Sequence, residues 1–335
     1  MISLFGIFLG LALLMYLAFK GYSIIWVAPV AAAVVALTGG LDIISTYMGP
    51  YMTGFVGFVK AWFPAFLLSA IFGNMMETTG AAKAIAVFLT QKLGSKLAIA
   101  AIVLSCAVLT IGGVSLFVVV FAIYPLALAM FREANISRKL IPGAIALGAF
   151  TFTMTAVPGT PQIQNLIPMQ YFGTTAMAAP IMGLTATFIL FFGGVFYLNW
   201  KRGKLEASGQ FYTEPDAAHL GKKDDGEALP NIFVALLPLI AVVSILNVLP
   251  YIVKFTEEQK AAGRSASEFI VYALLAGIAL IFVLNLNKRE KLMKSLAIGS
   301  QGALGAIMNT SAAVGFGTVV RAVPGFADLT NILLA

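Results

Sequence analysis

From Leu140 to Trp200 the chain carries no Asp, Glu, Lys, Arg or His. A run of that length holds more than one helix that crosses a bilayer, since each needs about 20 apolar residues. The rest of the chain follows suit. Charged residues are 10% of the total and hydrophobic ones 60%, whereas a soluble domain carries about 25% charged residues. Apolar runs occur at 2–19, 22–41, 61–76, 97–131, 140–200, 231–253, 269–287 and 295–320. They are too many for a signal peptide and one anchor. The chain reads as an all-α integral membrane protein with several spans.

The net charge of +7 needs no nucleic-acid partner. Lys and Arg gather in short loops beside apolar runs, as cytoplasmic loops of membrane proteins do. Cys106 is the one cysteine and His219, in a polar loop, the one histidine. That excludes an intrachain disulfide and a thiolate cluster, and argues against a His-built metal site or a catalytic triad. No Gly-x-x-x-x-Gly-Lys-Ser/Thr loop is present for nucleotide-driven pumping.

The run 97–131 has basic residues on both flanks: Lys92 and Lys96 before it, Arg132, Arg138 and Lys139 after it. Entry and exit on one side require a reversal, and "TIGGVS" (110–115) supplies it through Gly112 and Gly113. Each arm of about 15 residues falls short of a ~30 Å hydrocarbon core. A re-entrant hairpin is expected, two ordinary spans with a short turn being the alternative.

Within the charge-free run, residues 156–165 read "AVPGTPQIQN". Pro158 and Pro161 remove backbone donors and disfavour helical geometry before them. A helix entering after Lys139 should break here and resume from Leu166 or after Pro168. It should reach the outside near Gly173–Thr175, and a last span should end at Lys201, Arg202 and Lys204. In hydrocarbon, irregular backbone survives only where it lines a cavity or is buried in protein. The break offers carbonyls to a cation and a half-helix N-terminus to an anion. The expected substrate or ion-binding residues are Thr110, Gly112, Gly113 and Ser115 at the hairpin tip, with Thr155, Gly159, Thr160, Gln162, Gln164 and Asn165 at the break. A packing kink is the plainer reading of such a break. Thr151, Thr153 and Thr155 could equally bond back to their own helix. Asp42 and Glu77 read as solvated helix ends, so no central acid stands out for proton coupling.

The order of elements suggests two repeats. Residues 1–200 form the first, with hairpin 97–131 and broken helix 140–175; 201–230 is a cytoplasmic linker; 231–335 begins the second. "AIFGNMMETTG" (70–80) and "AIMNTSAAVG" (306–315) echo one another. The first repeat starts outside and the second inside, so the two are expected to be inverted, a hallmark of secondary transporters. Residues 43–59 read as an interfacial or partly inserted linker. A mixed-charge loop is expected at 254–268. The second repeat lacks its own hairpin and broken helix. On repeat logic an intact chain runs to roughly 440 residues, and the chain is expected to be C-terminally incomplete.

The segments "FPAFLLSAIFGNMMETTGAAKAIAVFL", "IYPLALAMF" and "IPGAIALGAFTFTMTAVPGTPQ" resemble the gluconate permease family of the ion transporter superfamily. Gly159, Thr160, Pro161 and Asn165 are similar to that superfamily's Gly-Thr-Pro-x-Asn-like break. The resemblance implies a bacterial inner-membrane symporter for small hydroxy-carboxylates, usually proton-coupled and usually a homodimer in the lipid bilayer, with no cofactor beyond a coupling ion, H+ or Na+. The acidic residue and histidines that such permeases carry near tip and break are missing here. A less hydroxylated acid than gluconate, such as a hydroxybutyrate-like monocarboxylate, is therefore expected. A sodium-coupled carboxylate or citrate transporter is the alternative. A membrane-embedded enzyme is the alternative from another class, but the spans show no nucleophile–base pair.

Overall fold

A computed structural model describes residues 2–114, 116–214, 229–254, 256 and 268–334, and among these it contains helices and no strand. The helices are α1 Ile2–Phe19, α2 Ile24–Thr38, α3 Ile43–Thr78, α4 Ala81–Leu93, α5 Ala98–Ile111, α6 Leu116–Glu133, α7 over 141–155, α8 Ile163–Phe172, α9 Pro180–Ala207, α10 Ile232–Ile252, α11 Glu268–Leu284, α12 Leu286–Ala322 and α13 Pro324–Leu334. Five of them, α1, α3, α9, α10 and α12, are long and apolar enough to cross a membrane. His219, Ser115, the middle of the proposed linker and the mixed-charge loop apart from 254, 256 and 268 lie outside the described residues.

The chain divides into two compact units, one of residues 1–67 with 301–335 and one of residues 68–300. They follow spatial packing and do not fall on the boundaries expected for the repeats. In the first unit, Ile7, Ala28, Ala31, Val35, Ala312, Phe316 and Val319 bury one another beside Tyr51. A β-carbon at Gly315 would sit 3.0 Å from the Tyr51 ring, so glycine there makes room for the phenol against α12. In the second unit α10 packs against α11 and α4, and α5 packs against α4, α6 and α7.

Residues 43–59 are helix, where a linker was expected. Asp42 opens α3 by accepting from the Ser45 N–H at 2.8 Å. Pro50 lacks a backbone donor, and the helix absorbs the lost bond by widening to a π turn over Tyr47–Tyr51. The chain therefore runs on as one helix of 36 residues to Thr78. The segment after it is also helical: α4 folds back from α5 with a bend of 104°. At its C-terminal end α9 continues through Ala207, so the first residues of the expected linker are helical.

Order and length recur along the chain. Helices of 18, 15, 36 and 13 residues (α1 to α4) are matched by helices of 21, 17, 37 and 11 (α10 to α13). Outward-facing apolar side chains mark the lipid-exposed surface: Ile181, Phe188, Ile189, Phe192 and Phe196 stand open along α9. Trp200 at its basic end carries Lys204 over its ring at 3.9 Å, the aromatic and cationic pairing of a membrane interface.

Candidate functional site

Helix α7 prepares the break. Its middle turn, Leu147–Thr151, is a π turn. Gly148 lies so close to α5 that a β-carbon would meet the Val103 carbonyl at 2.3 Å. Such close approach through a small residue is how membrane helices pack. The π turn frees carbonyls, and hydroxyls take them up: Thr151 donates to Ala146 O at 3.1 Å and Thr153 to Gly148 O at 2.9 Å. Thr155 donates to Thr151 O at 2.8 Å and is exposed. The three threonines thus bond within their own helix.

After Thr155 the chain leaves helical geometry and resumes at Ile163, earlier than the prolines suggested; Pro168 lies inside α8. Between them Gly159 takes a φ of +75°, which glycine alone adopts readily. Its N–H donates to Ala176 O at 2.7 Å. The Asn165 amide donates to the same carbonyl at 2.9 Å and to Thr160 O at 3.1 Å. Asn165 therefore staples the break to the segment that precedes α9. Gln164 is exposed, with its amide 3.6 Å from Met154 Sδ.

The hairpin tip meets this break directly. Gln162 stands at the N-cap position of α8 but makes no cap. Its amide donates instead to the Thr110 carbonyl at 2.6 Å. Gly113, at φ +92°, packs so near Pro161 that a β-carbon would lie 3.1 Å from its Cγ. The Gly113 carbonyl accepts from Ser69 Oγ of α3 at 3.2 Å. Gly112 leaves room for Leu239 of α10, which a β-carbon would approach to 2.3 Å.

A third element joins them. Asn247 of α10 donates through Nδ2 to Gly159 O at 2.8 Å and to Val243 O at 2.8 Å. Asn247 and Ser69 are not among the site residues expected from the sequence. The available signal was an amide within the apolar run "SILNVLP", since polar groups in the membrane are expensive.

Thr110 and Thr160 are fully buried. Neither hydroxyl, nor Asn247 Oδ1, finds a hydrogen-bond partner among the described residues. An unpaired buried polar group costs roughly 1–3 kcal/mol. The three atoms belong to residues of the tip, the break and α10, the elements that the Gln162 and Asn247 bonds link, and all three residues are neutral. Of the expected site residues, Thr110, Gly112, Gly113, Gly159, Thr160, Gln162 and Asn165 come together here. Thr155 and Gln164 point elsewhere.

Comparison with known proteins gives this architecture its context. The family model of GntP family permeases matches residues 1–325. An uncharacterized transporter of Bacillus subtilis, YxjC, is 41% identical over 97% of this chain and 74% of its own length. An uncharacterized permease of Haemophilus influenzae is 26% identical over 93% of this chain and 68% of its own. No solved structure matches the chain. With the apolar helices, the broken helix and the match over nearly its whole length, the chain belongs to the GntP family of permeases and is a multi-pass membrane transporter.

Proposed function

We infer that this permease is a symporter for small hydroxy-carboxylates, such as gluconate or 3-hydroxybutyrate, in a bacterial inner membrane, and that the junction of tip and break is half of its binding site. The observation that carries the reading is the Gln162–Thr110 bond, which joins two irregular backbone segments that each carry a buried, unpaired hydroxyl, those of Thr110 and Thr160. Hydroxyl donors and the free N–H groups opening α8 suit a carboxylate. The residues of the junction are neutral, which favours an acid with few hydroxyls over gluconate itself. Proton coupling is the family expectation. Sodium is the second reading, favoured by the concentration of neutral oxygens at the junction. The recurrence of helix order supports an inverted second repeat, and a homodimer follows the family pattern.

The test is uptake of radiolabelled gluconate, 3-hydroxybutyrate and citrate by the full-length protein in proteoliposomes, under separate proton and sodium gradients. Uptake of a hydroxy-carboxylate under one gradient is expected. No uptake of any under either gradient would contradict the reading.

A further inference from the structure

The Asn247 side chain is unusual in how its two ends are used. Both acceptors facing its Nδ2, the carbonyls of Gly159 and Val243, lie at 2.8 Å. Two carbonyls demand an NH2 group, so the orientation of the amide is fixed and its oxygen must point the other way. That oxygen is buried and has no donor among the described residues. It sits against the break itself, 2.8 Å from where a β-carbon of Gly159 would be. The neighbouring residue, Thr160, carries one of the unpaired hydroxyls. The hydroxyls can donate to a carboxylate; the amide oxygen can only accept. What the junction lacks is one donor beside an anion.

We propose that Asn247 is a specificity-determining residue: its Oδ1 accepts a hydrogen bond from the hydroxyl of a hydroxy-carboxylate bound at the junction. This rests on the carboxylate reading given above and extends the site to α10. A buried acceptor of this kind discriminates because an analogue without the hydroxyl leaves it unpaired. The gain from Asn247 is then selectivity between a hydroxy acid and its deoxy counterpart.

The experiment compares 3-hydroxybutyrate with butyrate, by competition uptake and by equilibrium binding to the full-length protein. Wild type should prefer the hydroxy acid by about tenfold or more. Asn247→Ala should collapse that ratio towards one. If Asn247 merely positions the break, both acids lose affinity by a common factor and the ratio stands, which overturns the proposal. A ratio near one in wild type overturns it too, with no variant needed, and leaves the carboxylate site intact. Failure of wild type to bind either acid, or any carboxylate, is the distinct outcome that removes the underlying reading, and the proposal with it.

Discussion

The Gln162 amide donates to the Thr110 carbonyl at 2.6 Å, across 52 positions of sequence. It ties the start of α8 to the end of α5. Replacing Gln162 by Leu removes a short bond and leaves the Thr110 carbonyl with the Gly113 N–H, at 3.0 Å, as its remaining donor. The expected result is a loss of about 1–2 kcal/mol in stability and a rise of about tenfold in KM, a factor worth about 1.4 kcal/mol. Thermal unfolding in detergent and uptake kinetics read the two separately.

Glycine at the junction is a steric requirement. At Gly159 a β-carbon would meet Met177 Sδ at 2.6 Å and Asn247 Oδ1 at 2.8 Å, in a backbone of positive φ. Gly159→Ala should therefore lower the melting temperature and transport together. Gly193→Ala is the control, because Gly193 is helical and nothing lies within 4 Å of its β-position. There the exchange should stabilise by roughly 0.5–1 kcal/mol. Equal effects at both sites would contradict the packing described.

Thr155 and Gln164 lie outside the junction, one bonded to its own helix and the other exposed. Thr155→Val and Gln164→Ala should leave KM within about twofold of wild type, the scale of a surface change. A large loss of affinity in either would place the site elsewhere along the break.

Asp42 caps α3, and its bonds to Ser45, the side-chain one first and then the backbone N–H, hold its carboxyl below the ordinary value of 3.8. A depressed folded value means the cap stabilises fully above the unfolded pKa. That stability is lost as pH falls through the folded value. The melting-temperature difference between wild type and Asp42→Ala should hold steady from pH 7 to about 5 and shrink below about pH 4. A difference that grows in acid would contradict the cap.

Much of this arrangement was legible in the residues. Pro158 and Pro161 announce the break because they lack donors, and Gly112–Gly113 announces the tip because glycine permits the reversal. The facing of tip and break was an inference from shared depth, and the Gln162–Thr110 bond gives it a geometry. Other parts were hidden for physical reasons. "MGPYMTG" reads as a linker, yet one π turn satisfies the bonds that Pro50 disrupts and α3 runs through. Pro168 costs α8 a single bond and does not delay its start. Thr151, Thr153 and Thr155 looked available because no pattern shows that a π turn will claim the first two. Asn247 meets Gly159 across 88 positions, and no local periodicity reports a contact of that range.

The central claim is that the buried hydroxyls of Thr110 and Thr160 are kept for a ligand at the expense of the fold. Thr160→Val tests it most directly, since valine keeps the shape and removes only the unpaired oxygen. Melting temperature and substrate affinity should be measured on the same preparation. The account predicts a protein as stable as wild type, or more stable by roughly 1 kcal/mol, whose affinity falls by about tenfold or more. A variant that loses stability and keeps its affinity would contradict it, and would make Thr160 a structural residue.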